Sequence, residues 1–274
     1  MKLLNIGCGA TYHPAWVNID VEPVSKEILR HDATTPLPLE DGCFDVCYCS
    51  HVLEHLSRDE ARLLVTEIHR VLKPGGIIRL VVPDLEGIVR AYLSTLEQVL
   101  STTEGDELSY DWIMLELLDQ MVRGASEGKM GPFLKKCPPE ARAFIAARIG
   151  TEAERFWGNE QVQHGTLTQL SEMSPVWFIG KIRYFLMSGC AWLLVGRRGM
   201  RAVREGWLRT SGEVHRWMYD RFSLGRLLRE ARFDEIAVST PDMSRIPGFA
   251  AYELDVVAGV VRKPDSLFME GVRL

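Results

Sequence analysis

Within its first hundred residues the chain stops and restarts five times, and each stop falls on glycine or a polar side chain. Lys2 to Ile6 is a short apolar run closed by Gly7-Cys8-Gly9. Trp16 to Asp20 ends on an acid, Glu27 to His31 runs into Asp32, Phe44 to Cys49 into Ser50 and His51, and Ile77 to Val82 into Pro83 and Asp84. Between the fourth and fifth runs, Ala61, Leu64, Val65, Ile68, Val71 and Leu72 recur at the helical period until Pro74-Gly75-Gly76 stops it. Leu85 to Leu100 again has a helical pattern. Strands alternating with helices predict a parallel α/β sheet. The near-continuous apolar run Ile77 to Val82 predicts a strand buried on both faces.

The rest of the chain divides differently. Leu108 to Arg123 and Pro139 to Phe156 are helical in pattern, and nothing between 100 and 210 reads as a strand. A helix over Ser223 to Ala231 precedes strand signals at Glu235 to Ser239 and Glu253 to Val261. The expected organisation is one α/β domain formed by 1–100 and 211–274, with 101–210 as a mostly helical insertion that covers the substrate.

Composition narrows the function. With 274 residues, 46% apolar, 25% charged and a formal charge of −5, the chain can bury a large core and has no global attraction for nucleic acid. Six cysteines are too few for a disulfide scaffold, so free thiols in a reducing cytoplasm are expected. The apolar start of the chain is broken by glycine and does not read as a signal peptide. The longest uncharged apolar stretch, Phe185 to Val195, is about half of the roughly 20 residues a membrane span needs. Seven basic residues and one acid between Ile179 and Arg209, interleaved with aromatics, make 177–209 a candidate for peripheral membrane contact. The plainer reading of that stretch is an amphipathic lid with solvated charges.

In a parallel α/β sheet, ligands lie beyond the carboxyl ends of the strands, so the five stops are the informative positions. Gly7 and Gly9 permit positive φ and close approach of backbone to a ligand. Asp20 is placed to accept from the vicinal hydroxyls of a ribose, and Asp32 from an exocyclic amine such as that of adenine. Two features count against a dinucleotide fold: there is no GxGxxG, and ten residues between Gly9 and Asp20 are too few for a full crossover helix.

The segments LNIGCGA, NID, HDATTPLPLEDGCFDVCYCSHVLEHL and EIHRVLKPGGIIRLVVPDL, over residues 2 to about 90, resemble the class I S-adenosylmethionine-dependent methyltransferases. They are most similar to the type 11 branch often found among enzymes of polysaccharide and glycan biosynthesis. HRWMYDRFSLGRLLREARF, over 215–233, is similar to the tail segment of that branch. The resemblance implies a Rossmann-like seven-stranded sheet, mostly parallel with the last strand antiparallel, and S-adenosylmethionine as cofactor. It places Gly7, Cys8 and Gly9 beside the methionine part, Asp20 on the ribose, Asp32 and Ala33 at the adenine, and Ser50 and His51 under the sulfonium. Asn5 stands where an acid is common.

Methyl transfer from a sulfonium needs alignment and exclusion of water, not a metal. For a hydroxyl acceptor a general base adds about 10²–10⁴-fold. His55, near the transfer site, and His215, from the far end of the chain, are the catalytic candidates, ahead of Tyr219 and Asp84. His51-Val52-Leu53-Glu54-His55 also matches the H-x-x-E-H zinc pattern. No distal ligand stands out, so no metal is expected. The acceptor implied is a small molecule, a hydroxyl of a sugar or glycolipid precursor. The alternative is a non-catalytic binding module on the same fold.

Overall fold

In the computed structural model, seven strands form one sheet in the order β3-β2-β1-β4-β5-β9-β6. Residues 1–101, 107–157 and 175–274 are described. Part of the expected insertion 101–210, and the side chains of Trp177, Phe178 and Lys181, lie outside them. β1 (Leu3–Ile6), β2 (Trp16–Asp20), β3 (Ile28–Arg30), β4 (Phe44–Ser50) and β5 (Leu72–Pro83) pair in parallel. β9 (Ser266–Arg273) runs antiparallel to both β5 and β6 (Phe233–Ser239). The sheet is therefore mostly parallel with its last strand reversed, as expected.

α1 (Arg58–Val71) starts where Ser57 and Glu60 form a reciprocal capping box, with the Ser57 amide donating to Glu60 Oε2 at 2.7 Å. It lays Ala61, Leu64, Val65 and Ile68 on one sheet face, beside Leu224 and Leu228 of α8 (Arg221–Glu230). The other face is covered by Trp16, Tyr48, Phe249, Leu254 and Phe268. α2 (Leu85–Ser101) follows β5. It is followed by α3 (Glu107–Val122), α4 (Met130–Lys135), α5 (Pro139–Ile149), α6 (Thr151–Trp157) and α7 (Pro175–Arg209). Trp112, Ile113, Leu134, Ala141, Ile145 and Ala153 give these helices a small core of their own. The single helix expected over Pro139 to Phe156 is two, because Gly150 takes φ +58° between them.

One strand was expected in the wrong place. Glu253 to Val261 is not part of the sheet: β7 (Val256–Val257) and β8 (Val260–Val261) form a two-residue hairpin. Ala258 and Gly259, both at positive φ, reverse the chain there. The closing strand is β9, which sequence patterning hides because Glu270 and Gly271 interrupt it. Glu270 is buried because it sits directly opposite Arg79 of β5. Arg79, fully buried, donates to Glu270 Oε1 (2.7 Å), Asp255 Oδ2 (2.8 Å) and the Thr240 carbonyl (2.9 Å). A buried guanidinium without such acceptors would be prohibitively costly.

All six cysteines are free thiols: Cys8, Cys47, Cys49 and Cys137 are buried, Cys43 is half-buried, and Cys190 is exposed on α7.

Candidate active site

Two cavities adjoin beyond the carboxyl ends of the parallel strands. The first, of about 250 Å³, is lined by Gly7, Cys8 and Gly9 from the loop after β1, Ser50 and His51 from the end of β4, and Asn5. Arg262 and Lys263, past the small hairpin, close its far side, and Arg262 donates to Thr11 Oγ1 at 2.7 Å. The loop is shaped by its glycines. Gly7 has φ +67°, and a Cβ there would lie 2.1 Å from Val52 Cγ2; Gly9 has φ +51° and faces open space. A short turn connects Gly9 to β2, with no crossover helix.

Asp20 is half-buried and rigidly held: Oδ2 accepts from the Gly9 amide and Oδ1 from the Glu22 amide, each at 2.8 Å. Burial, reinforced by Asp20, pushes the Cys8 thiol up to about 11, so it stays neutral. Asn5, in place of an acid, donates through Nδ2 to Thr11 O and Asn18 Oδ1, both at 3.1 Å, while its own buried Oδ1 has no partner. Asp20, Asp32 and Ala33 do not line this cavity. Asp32 forms a local turn by accepting from the Thr34 amide and hydroxyl, and Ala33 packs against the core.

The second cavity, of about 340 Å³, shares His51, Glu152 and Lys263 with the first. His55 and His215 line it with Glu54, Gln120, Arg123, Glu127 and Asp265. His51 has φ +54°, which turns the chain before the short 3₁₀ turn Leu53–His55, so His51 and His55 do not share a helix. The distal segment is stitched on by backbone: the Arg216 amide donates to the Glu54 carbonyl at 2.6 Å and the His215 amide to the Gln120 carbonyl at 2.9 Å. His215 and His55 then meet edge to face, ring centroids 4.8 Å apart.

Beneath them lies Glu54, fully buried, 3.0 Å from His51 Nδ1 and 4.0 Å from His55 Nε2. Burial alone would raise its carboxyl, but His51, His55 and His215 outweigh this and hold it at about 2. Burial pushes His55 down and His215 to about 3, against the pull of Glu54. Asp265 is raised to about 6, first by burial and then by Glu116. Glu54, His55 and His215 each present a donor atom within 4.8 Å of the others. Asp84 caps α2, its Oδ1 accepting from the Glu86 amide at 3.1 Å, and Tyr219 is joined to it by a backbone bridge.

Sequence reasoning missed Arg262, Lys263, Asp265 and the buried position of Glu54. Arg79 was the available signal: a charged residue inside an apolar strand demands distant carboxylates, which brings Asp255 and Glu270, and the hairpin between them, to the strand ends.

Residues 4–80 match the Methyltransferase domain family. The matched segment holds the glycine loop, Asp20 and His51, and the sheet is the Rossmann-like sheet of such methyltransferases, whose cofactor is S-adenosylmethionine. The residues present fit that cofactor: the orphan Asn5 Oδ1 is an acceptor for its ammonium, and Gly9, at positive φ, leaves open space for its methionyl chain.

No curated protein matches the chain. Among solved structures, it is similar to a SAM-dependent methyltransferase from Thermotoga maritima at 13% identity, covering 100% of this chain and 82% of that one, with a TM-score of 0.38. A Haloferax volcanii complex containing the Trm112 methyltransferase activator aligns at 20% identity over 32% of this chain and 47% of that one, TM-score 0.27. A SAM-dependent methyltransferase from Archaeoglobus fulgidus aligns at 20% identity over 36% and 58%, TM-score 0.28. The chain thus spans about half the length of the latter two, and likenesses of this strength carry no substrate with them.

Proposed function

We propose that the protein is an S-adenosylmethionine-dependent methyltransferase acting on a hydroxyl of a sugar or glycolipid precursor. The observation that carries this reading is the contact of two cavities at His51. One is lined by the glycine loop of a methyltransferase domain and the other by two neutral histidines. When bound, S-adenosylmethionine would supply an activated methyl group: the acceptor oxygen would form the new C–O bond in line as the C–S bond breaks and S-adenosylhomocysteine leaves.

The protein's own contribution is alignment. Gly7–Gly9 and Asn5 fix the methionyl end, and Asp20, outside the cavity lining but held by the Gly9 amide, is assigned to the ribose edge. Asp32 and Ala33, outside the cavity, are assigned to the adenine rim, while Ser50 and His51 form the floor between the cavities. His55, half-buried and open to the second cavity, takes the acceptor proton; the buried His215 holds its ring edge-on. Cations and carboxylates both face this cavity (Arg123, Lys263, Glu127, Asp265), a mixture that suits a polyhydroxylated acceptor. The helices from 107 to 157 cover it, as a substrate lid within the insertion 101–210.

The test is methyl transfer from labelled S-adenosylmethionine to a panel of sugars and glycolipid precursors. Labelled O-methyl product supports the reading. S-adenosylhomocysteine binding with no transfer to any hydroxyl would instead favour the non-catalytic module.

A further inference from the structure

α7 folds back on itself. The rings of Tyr184 and Trp207 lie 5.3 Å apart, whereas a continuous helix would separate those residues by about 34 Å. The reversal is at Gly196, whose φ of +67° and ψ of −152° are not helical. Gly199, just beyond, packs so tightly on the first arm that a Cβ would lie 2.6 Å from the Ala191 carbonyl oxygen. α7 is therefore a two-armed helical hairpin, with its tip at Trp192–Gly196.

That tip is built from the wrong residues for water. Phe185, Trp192, Leu193, Leu194 and Val195 are 77%, 53%, 76%, 84% and 65% exposed. Ile182, Leu186 and Met187 extend the apolar surface down the first arm. Folded monomers rarely leave contiguous apolar patches of more than a few hundred Å² in solvent. Directly behind the tip stand Arg197, Arg198 and Arg201, all exposed. Of these, Arg201 has a neighbouring acid, Glu205, at 3.5 Å.

We propose that this hairpin is a membrane-docking wedge: Trp192–Val195 enter the interfacial layer of an anionic lipid bilayer while Arg197, Arg198 and Arg201 hold the headgroup phosphates. An apolar edge with an arginine collar and an interfacial tryptophan is complementary to that surface. Pairing of the tips of two copies would instead bring two arginine collars together. The wedge docks without crossing, since among the described residues no helix is long and apolar enough to span a membrane. Docking goes beyond the methyl-transfer reading and does not depend on it. His215, which lines the second cavity, follows the second arm after the short connection 210–214, so the docked hairpin is joined directly to the segment that carries it.

The test is co-sedimentation of the full chain with phosphatidylcholine vesicles, with and without about 30% phosphatidylglycerol. The wild type is expected to partition at least ten-fold more strongly onto the anionic vesicles. Leu193→Glu with Leu194→Glu removes binding to both, and Arg197→Glu with Arg198→Glu removes the preference for anionic lipid. Both double variants retain the wild-type melting temperature and S-adenosylhomocysteine affinity, which separates failure of docking from failure of the methyltransferase reading. The proposal is overturned if the wild type ignores both vesicle types or if the glutamate pair binds as well as wild type. A tip-dependent dimer that does not partition onto vesicles would overturn it too.

Discussion

The two cavities that meet at His51 are made in opposite ways. The first takes about half of its lining from strand ends and tight turns within the first 51 residues, which supply the glycine loop, Asn5, Ser50 and His51, and the rest from Val81, α6 and the segment between Leu254 and Phe268. The second is assembled from the 3₁₀ turn after β4, the four helices α3 to α6, His215, and the approach to β9. The local half of the first is shaped by backbone, which a short motif can encode. The second is shaped by side chains that distant segments deliver, and its chemistry depends on a buried carboxylate under three imidazoles.

The largest effect that tests the contrast is His55→Ala. Loss of a general base predicts a kcat reduced by about 10²–10⁴-fold with S-adenosylhomocysteine affinity changed less than about three-fold. An equal loss of affinity would mean that the cavities are not separate. Gly7→Ala is the converse. Positive φ and the contact with Val52 leave no place for a methyl group, so affinity for S-adenosylhomocysteine is expected to drop on the order of 100-fold. Calorimetric titration measures it.

A smaller effect is the pH dependence of stability. His215 has a folded pKa near 3 against an ordinary 6.5, so above pH about 6.5 it is neutral in both states and contributes no slope. As pH falls from 6.5 towards 3, the unfolded chain takes up a proton that the folded one refuses, and stability falls. Asp265, raised from 3.8 to about 6, acts in the opposite sense, since its contribution is full below pH 3.8 and is lost as pH rises through 6. His215→Asn is therefore expected to flatten or invert the decline in melting temperature between pH 6.5 and 4.5, read by scanning calorimetry. An unchanged slope would show that His215 is not buried as a neutral ring. The smallest effect is that of chelation: dialysis against EDTA is expected to leave the transfer rate unchanged. Stoichiometric zinc in protein purified without a chelator would make Glu54, His55 and His215 ligands instead of proton-handling groups.

The difference in construction also explains what could be read in the sequence. β1, β2 and β4, α1 and the glycine loop are legible because apolar period, Gly7-Gly9 and the Ser57 cap are all local. β9 is not, because its buried Glu270 makes sense only opposite Arg79, nearly two hundred residues away in the chain. Glu253 to Val261 misleads for the reverse reason: its apolar composition is that of a strand, but the Ala258-Gly259 turn halves it. His55 and His215 can be nominated by residue type. Their meeting, and the burial of Glu54 beneath them, depends on backbone contacts made by the segment at 215–217, which no periodicity records. The hairpin in α7 is likewise invisible until Tyr184 and Trp207 are seen to touch.

The central claim is that the Gly7–Gly9 loop and Asp20 hold an adenosyl cofactor in a site distinct from the histidines. Calorimetric titration with S-adenosylhomocysteine of the wild type, Asp20→Ala and His55→Ala tests it most directly. One equivalent bound by the wild type, an affinity at least about ten-fold weaker in Asp20→Ala for loss of a charged hydrogen-bond acceptor, and no change in His55→Ala is the predicted result. No heat with the wild type, or Asp20→Ala binding as tightly as wild type, would contradict it.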